Sequence, residues 1–300
     1  MTRTIEIHQV DAFTREPFTG NPTGVVLNAD ALTDVQMLAV ARELNNAETA
    51  FILAADAADH SMRARFFTPR TEIGFVGHAT VAAQYVLSSR PEAPHRQRQK
   101  SKAGIVDVEV HGTGADRSIA IRRAAPPLGR ELNDRERLAV LDALALASES
   151  LDTRIAPRIA GGSGARLLIG VRGPEPLRHL KPDLARLTTL SAQLGAAGYF
   201  VFTLGKTGAD HQVQSRMFCP ALGIPEDPVS GNAHGLLGAY LAELRLLTPT
   251  ADRAHFSGIQ GQYVNRPGRV EVDLEFSDGK LAGVWIRGQA VEIFQTQMTL

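Results

Sequence analysis

Two short segments carry the groups best suited to holding a small anion. Each has glycine, one intervening residue and alanine at the start of an apolar stretch: Gly77-His78-Ala79 and Gly231-Asn232-Ala233. The first N–H groups of a helix have no partner within the helix, and the helix dipole adds partial positive charge there. Because glycine has no side chain to block a ligand, both segments predict a cradle for a carboxylate. Similar glycine-led helix starts also occur in loops that bind nothing, and this alternative stays open.

Three side chains could move a proton. Glu48 stands between a predicted helix and an apolar strand, His78 follows the first glycine, and Asp227 precedes the second. Carboxylates and histidine commonly serve as general acids and bases, so we predict these three as catalytic residues. Each also has a structural interpretation, as an exposed loop charge, a helix cap or a turn residue. The predicted substrate-binding residues are Gly77, Ser230, Gly231 and Asn232.

Other reaction types have no support in the sequence. The remaining histidines form no H-E-x-x-H or similar ligand spacing, so no metal site is predicted. The chain has no G-x-G-x-x-G, P-loop or G-x-S-x-G motif, so we expect no nucleotide cofactor and no α/β-hydrolase chemistry. The single cysteine, Cys219, lies in a strand-like segment and is predicted to be a buried residue rather than a nucleophile. A chain that cannot form an internal disulfide favours a cytoplasmic location.

The chain contains two copies of one pattern. R-x-F-x-P occurs at residues 65–69 and again at 216–220, an offset of 216 − 65 = 151 in a chain of 300 residues. At the same offset Ala58-Asp59-His60 recurs as Ala209-Asp210-His211. A period of half the chain predicts two similar domains, which we place at 1–128 and 129–300, with the last strand either in the second domain or crossing to the first. Equivalent segments would face one another across a cleft, a common location for small-molecule sites.

Predicted strands flank one long apolar helix in each half. The helix from Ala79 is apolar almost all round, which is typical of a helix buried inside a sheet. We therefore predict an α+β fold of two pseudo-symmetric domains, each a curled β-sheet wrapped round a central helix. At the repeat offset Glu48 matches position 48 + 151 = 199, which is Tyr199. The halves thus differ where one of them keeps a candidate catalytic group.

The composition agrees with a soluble two-domain protein. Basic and acidic side chains balance at 32 each, and no long basic run suggests the clustered positive face of a nucleic-acid binder. No apolar run approaches the roughly 20 residues needed to span a bilayer. We therefore expect neither a nucleic acid nor a membrane as partner.

Several segments, ordered along nearly the whole chain, together resemble the PhzF-like proteins of phenazine biosynthesis. They are residues 10–13, 17–22, 41–51, 67–69, 77–79, 216–218 and 226–233. The resemblance implies the diaminopimelate-epimerase-like fold, with the site between two barrel-like halves. It also implies a homodimer that uses no cofactor and acts on a small carboxylate-bearing substrate.

The resemblance also assigns roles to residues. In the phenazine enzyme, a glutamate that matches Glu48 shuttles a proton while isomerising trans-2,3-dihydro-3-hydroxyanthranilate. A histidine matches His78 and an aspartate matches Asp227. Asn232 stands where that enzyme has serine, which makes this chain more similar to the branch of the family with unassigned substrates.

Related epimerases place a cysteine before each of the two glycines, where this chain has Val76 and Ser230. Racemisation needs two bases on opposite faces of one carbon, and valine cannot be one. The expected activity is therefore isomerisation by one carboxylate, with a two-base epimerase disfavoured. The alternative is a module on the same fold that binds a small ligand or a protein without catalysis.

Overall fold

The computed structural model describes residues 4–90, 93–162, 164–205, 212–247 and 249–300. The chain divides into two compact units, Met1–Arg123 with Arg287–Leu300 (unit one) and Ala124–Ile286 (unit two). We expected a division after residue 128. The second copy of the Ala-Asp-His segment, residues 209–211, lies outside the described residues. In the described part of the chain, no helix combines the length and apolar character required to cross a bilayer.

Unit one forms a sheet around a central helix. Its strands are β1 (Thr4–Ala12), β2 (Asn21–Val26), β3 (Thr49–Ala54), β4 (Met62–Phe67), β5 (Glu72–Ile73), β6 (Arg96–Ser101), β7 (Gly104–His111), β8 (Ser118–Ala124) and β18 (Ala290–Thr299). Its helices are α1 (Asp34–Leu44) and α2 (Gly77–Leu87). The strands lie in the order β18, β1, β2, β3, β4, β6, β7, β8, and β5 pairs with β4. The pairs β2–β3 and β4–β6 are parallel and the others antiparallel.

Unit two repeats this arrangement. Its strands are β9 (Leu128–Glu131), β10 (Arg158–Ala160), β11 (Arg166–Gly170), β12 (Tyr199–Leu204), β13 (Gln212–Cys219), β14 (Ile224–Asp227), β15 (Arg253–Gln260), β16 (Gly268–Ser277) and β17 (Lys280–Gly288). Its helices are α3 (Asp134–Ala143), α4 (Pro174–His179), α5 (Leu184–Leu194) and α6 (Gly231–Glu243). Strands β9 to β13 follow in order, then β15 and β16, and β14 pairs with β13. Here β11–β12 and β13–β15 are the parallel pairs.

The two units therefore share one order of strands and one order of parallel and antiparallel pairings. In each, an apolar helix follows a short strand and packs on the sheet, α2 on β1, β2 and β3, and α6 on β10, β11 and β16. Most residues of both α2 and α6 are buried. A helix covered on every face needs apolar residues all round, which is the pattern in both segments. The predicted α+β fold with two similar halves and central helices is confirmed.

The strand register corrects one expected match between the halves. Thr49 pairs with Phe67 in unit one, and Tyr199 pairs with Phe218 in unit two. Tyr199 therefore corresponds to Thr49, and the counterpart of Glu48 is Gly198. The expected match of Glu48 to Tyr199 was wrong by one position, because unit two has one extra residue between its paired strands. Ala54 pairs with Met62, whereas Leu204 pairs with Val213.

The arginine of each R-x-F-x-P motif fixes the turn that leads into the central helix. Arg65 binds Glu72 through two hydrogen bonds of 2.8 and 3.0 Å, and Arg216 binds Glu226 through two of 2.9 and 2.7 Å. Each glutamate lies five residues before its helix starts, since 77 − 72 = 5 and 231 − 226 = 5. Paired hydrogen bonds between guanidinium and carboxylate fix orientation as well as distance. The repeated motif thus positions the helix starts that the sequence singled out.

His234 is a buried histidine on the inner face of α6. Its Nδ1–H donates to the Ser230 carbonyl at 2.8 Å, and its ring meets the edge of Phe200 with centroids 5.0 Å apart. A Cβ on Gly258 would lie 2.2 Å from the ring, so only glycine leaves room for it. Burial lowers the pKa of His234 to about 4. The fold therefore holds this side chain in its neutral form.

We expect this neutral histidine to make the protein sensitive to acid. The pKa of His234 in the folded protein lies below the ordinary value of 6.5. The contribution of neutral His234 to the free energy of unfolding is therefore fully present above pH 6.5. It is lost as the pH falls towards 4, by up to roughly 3 kcal/mol. His234→Gln keeps a donor for Ser230 and cannot titrate. Urea unfolding at pH 7.5, 6, 5 and 4 should show the free energy of unfolding of the variant falling less steeply than that of the wild type.

His255→Gln is the matched control for this measurement. Hydrogen bonds to Asp273 and Glu271 raise the pKa of His255 to about 9. Its contribution to the free energy of unfolding is therefore present below pH 6.5 and lost as the pH rises through 9. Its removal should lower stability at acid pH and should flatten the pH dependence on the alkaline side. Parallel acid curves for the wild type and His234→Gln would contradict the prediction.

Candidate active site

Glu48 lies in unit one at the mouth of β3, directly after the turn that ends α1. Asn45 closes α1 in the left-handed conformation, and three residues later Glu48 turns inward with only 8% of its surface exposed. Its Oε2 atom lies 3.2 Å from Nε2 of His78, the second residue of α2. Oε2 has no hydrogen-bond partner among the described residues, because this close approach lacks hydrogen-bond geometry. The carboxylate and the imidazole therefore meet in a nearly dry environment.

Asn21 sets which nitrogen of His78 carries the proton. Its amide Nδ2 lies 3.3 Å from His78 Nδ1, and both side chains are buried. Because an amide nitrogen can only donate, Nδ1 accepts, and the ring hydrogen of the neutral imidazole lies on Nε2. That hydrogen is on the side of the ring that faces Glu48. The arrangement gives the carboxylate a neighbouring donor.

The loop before β2 holds Asn21 in place. Asp11 is buried, and its Oδ2 accepts a hydrogen bond of 2.7 Å from the backbone N–H of Phe18. Gly20 adopts a φ of +63°, and a Cβ there would lie 2.2 Å from the Ala12 carbonyl, so the tight return to β2 requires glycine. These contacts show what the segments 10–13 and 17–22 do in the fold, which is to hold the loop that positions Asn21.

The start of α2 differs from the starts of the other long helices. Within the described residues, each of the other helices of ten or more residues has a side-chain cap, from Thr33, Asn133, Asp183 or Ser230. Val76 precedes α2 and offers no such cap. A Cβ on Gly77 would meet no atom within 4 Å outside its chain neighbours and the helix's own backbone, so there is open space beside this first residue of the helix. The first turn of α2 can therefore offer N–H groups to a ligand.

The other predicted residues form a second group, in unit two. Asp227 ends β14 opposite Met217, and Gly231 is the buried first residue of α6. Ser230 caps α6 by accepting a hydrogen bond of 3.3 Å from the Ala233 N–H. Asn232 donates through Nδ2 to the Gly164 carbonyl at 3.4 Å. Glu48, Gly77 and His78 thus lie together in unit one, and Asp227, Ser230, Gly231 and Asn232 together in unit two.

The two groups occupy equivalent places in the repeat but contain different side chains. The strand register matches Ile73 to Asp227, since these pair with Phe66 and Met217. Counting from the helix starts matches Val76 to Ser230 and His78 to Asn232. Glu48 matches Gly198, as the register showed. Each carboxylate therefore occurs in one unit only.

Two residues of the site region were not predicted from the sequence. Asn21 lies within a segment that resembles the family, but no pattern indicates its contact with His78. Gln260 lies on β15, where its Nε2 donates to the Asp227 carbonyl at 2.6 Å and its Oε1 accepts from the Ser230 N–H at 3.1 Å. It is far along the chain from both partners, so no local signal could have indicated it. No group of three or more His, Cys, Asp or Glu side chains suited to a metal occurs in the described residues.

Comparisons with known proteins agree on one family. The sequence model of a family described as phenazine biosynthesis-like protein matches residues 10–296. An uncharacterized isomerase from Clostridium acetobutylicum is 36% identical over the full length of both chains, and the uncharacterized isomerase YddE from Salmonella typhimurium is 38% identical over 98% of each. The crystal structure of a PhzF-family phenazine biosynthesis protein from Bacillus anthracis superposes with a TM-score of 0.87 at 27% identity, covering 99% of this chain and 100% of that one.

The structure supports a packing role for the only cysteine. Cys219 is 2% exposed, and its Sγ lies 2.6 Å from where a Cβ on Gly198 would stand. We expect Cys219→Ala to lower the free energy of unfolding by about 1 kcal/mol through lost packing and to leave catalysis intact. A thiol reagent such as DTNB should label the folded protein slowly, whereas protein unfolded in urea reacts at once. Rapid, stoichiometric inactivation that a ligand prevents would contradict the packing role.

Proposed function

This chain belongs to the phenazine biosynthesis-like protein family and is an isomerase, and we propose that it moves a proton within a small substrate that carries a carboxylate. Glu48 is the general acid and base of this proposal. The observation that carries it is the buried Glu48 carboxylate, 3.2 Å from His78 at the uncapped start of α2. Base, neighbouring donor and anion cradle thus occur together in unit one.

One carboxylate suffices for such a reaction. Glu48 would remove a proton from one carbon of the substrate and return it to another carbon on the same side. Atoms and electrons balance within the substrate, so the step needs no redox partner and no cofactor. The Oε2 atom of Glu48 has no hydrogen-bond partner among the described residues, which leaves a lone pair for the incoming proton. The Nε2–H of His78 would stabilise the carboxylate and guide the proton.

The helix starts would bind the substrate carboxylate and the charge that develops during proton transfer. The open space at Gly77 lets an oxygen approach the first N–H groups of α2. In unit two, Asp227, Ser230, Gly231 and Asn232 occupy the equivalent place. We propose that these residues also take part in catalysis and substrate binding, which their equivalent place in the duplicated fold supports. Asp227 would then be a second acid–base group, and Asn232 would offer its amide where the phenazine enzyme has serine.

The other activities fit the site less well. A two-base epimerase would need acid–base groups at positions 76 and 230, and Val76 cannot ionise. A module that only binds has no need for a buried carboxylate, whose desolvation is costly. The resemblance supports a homodimer, and the single cysteine supports a cytoplasmic location.

Glu48→Gln tests the base directly. The amide keeps the shape of the side chain but cannot take up a proton, so turnover should fall by about two orders of magnitude or more while ligand binding persists. A screen of hydroxylated cyclic amino acids and dienes in deuterated water, scored by deuterium incorporation, would identify the substrate. Glu43→Gln, an exposed glutamate on α1, is the control and should be fully active. A Glu48→Gln enzyme with near-normal turnover would overturn the assignment.

Gly77→Ala tests the anion cradle at α2. A methyl group there meets no protein atom within 4 Å and Gly77 does not require a positive φ, so the variant should fold with unchanged stability. The methyl group would occupy the space before the helix and weaken substrate binding, which we expect as a tenfold or greater rise in KM. Gly74→Ala is the matched control, since its Cβ would make only an ordinary contact of 3.5 Å with Ala103. Equal KM values for both variants and the wild type would rule out the cradle.

A further inference from the structure

We infer that Gln260 is a positioning residue for the unit-two group of the site, a role that rests on the proposed function. Gln260 is the last residue of β15 and is 1% exposed. Its side-chain amide lies between the two ends of the segment from Asp227 to Ser230. Burying an amide costs free energy unless both its donor and its acceptor form hydrogen bonds. Here the backbone of that one segment satisfies both.

The two hydrogen bonds fix both ends of the segment. Nε2 donates to the Asp227 carbonyl at 2.6 Å, and Oε1 accepts from the Ser230 N–H at 3.1 Å. Between them, Pro228 has no N–H to contribute and Val229 is fully buried. The Arg216–Glu226 pair anchors the residue just before the segment. Gln260 therefore determines how Asp227 and the cap of α6 are held relative to each other.

Among the described residues of unit one, no side chain forms an equivalent clamp. Ser215 pairs with Gln260 on β15, while Met62 and Arg63 pair with Gln99 and Lys100 on β6. Continuing that register places Ser101 at the equivalent position. The Ser101 hydroxyl is too short to span a four-residue segment, and it donates to the Gly104 carbonyl instead. The clamp is present in the unit whose segment carries a carboxylate at position 227 and absent where the equivalent residue is Ile73.

Amide hydrogen exchange at Ser230 tests the clamp without any substrate. Gln260→Met keeps the length of the side chain and removes both hydrogen bonds, so the Ser230 amide should exchange about tenfold faster or more. Gln260→Glu should keep Ser230 protected, because a carboxyl oxygen accepts a hydrogen bond in either protonation state. Tyr199→Phe is the control for general destabilisation. It removes a buried hydrogen bond of 2.7 Å to the Leu187 carbonyl, elsewhere in unit two, and should leave Ser230 exchange unchanged.

Kinetics on a substrate that takes up solvent deuterium then tests the positioning role. We expect kcat to fall about tenfold or more in Gln260→Met with KM within a factor of about three, since small misplacements of reacting groups mainly slow the chemical step. Unchanged Ser230 exchange in Gln260→Met overturns the inference. Faster exchange with an unchanged kcat also overturns it, while leaving Glu48 as the base. An active Glu48→Gln variant would instead refute the proposed function, and the exchange result would still report on the clamp.

Discussion

Both units depend on a helix that is buried along most of its length. Such a helix can satisfy its interior hydrogen bonds by itself, but the first N–H groups of its backbone need partners from outside. In unit two, Ser230 caps α6, and Gln260 fixes the segment that leads into it. In unit one, α2 has no side-chain cap, and a Cβ on Gly77 would meet no atom within 4 Å. One buried helix thus begins without a side-chain cap, next to the buried glutamate of the same unit.

The duplication separates what supports the fold from what could perform chemistry. The Arg–Glu pairs of the R-x-F-x-P motifs occur in both units with nearly the same geometry, because both helix starts need the same support. Gly77 and Gly231 are common to both helix starts, whereas the other residues predicted at the site differ between the units. Even so, one contact joins equivalent positions in both units. His78 meets Asn21 in unit one, and Asn232 meets Gly164 in unit two, at positions that the strand register makes equivalent.

The sequence predicted the features that leave a repeated or periodic signal. The paired R-x-F-x-P and Gly-x-Ala segments indicated two similar halves, and the apolar stretches after them indicated the central helices. The match of Glu48 to Tyr199 failed because unit two has one extra residue between β12 and β13, and no sequence pattern marks it. The contacts of Asn21 and Gln260 were also beyond prediction, since pairing between distant strands brings them to their partners. Hydrogen bonds between residues far apart in sequence depend on that pairing rather than on local composition.

The counterpart of Glu48 explains why the two units cannot carry the same groups. At Gly198, a Cβ would lie 2.6 Å from Cys219 Sγ and 2.9 Å from the Phe218 carbonyl oxygen. The second of these atoms belongs to the backbone of β13 and cannot move without disturbing the strand. Unit two therefore has no room for a carboxylate at this position, just as unit one has Ile73 in place of Asp227. A racemase needs two bases that approach one carbon from opposite faces. A fold that holds its carboxylates at non-equivalent positions instead favours a base that takes a proton and returns it on the same face, which is the requirement of the isomerisation proposed here.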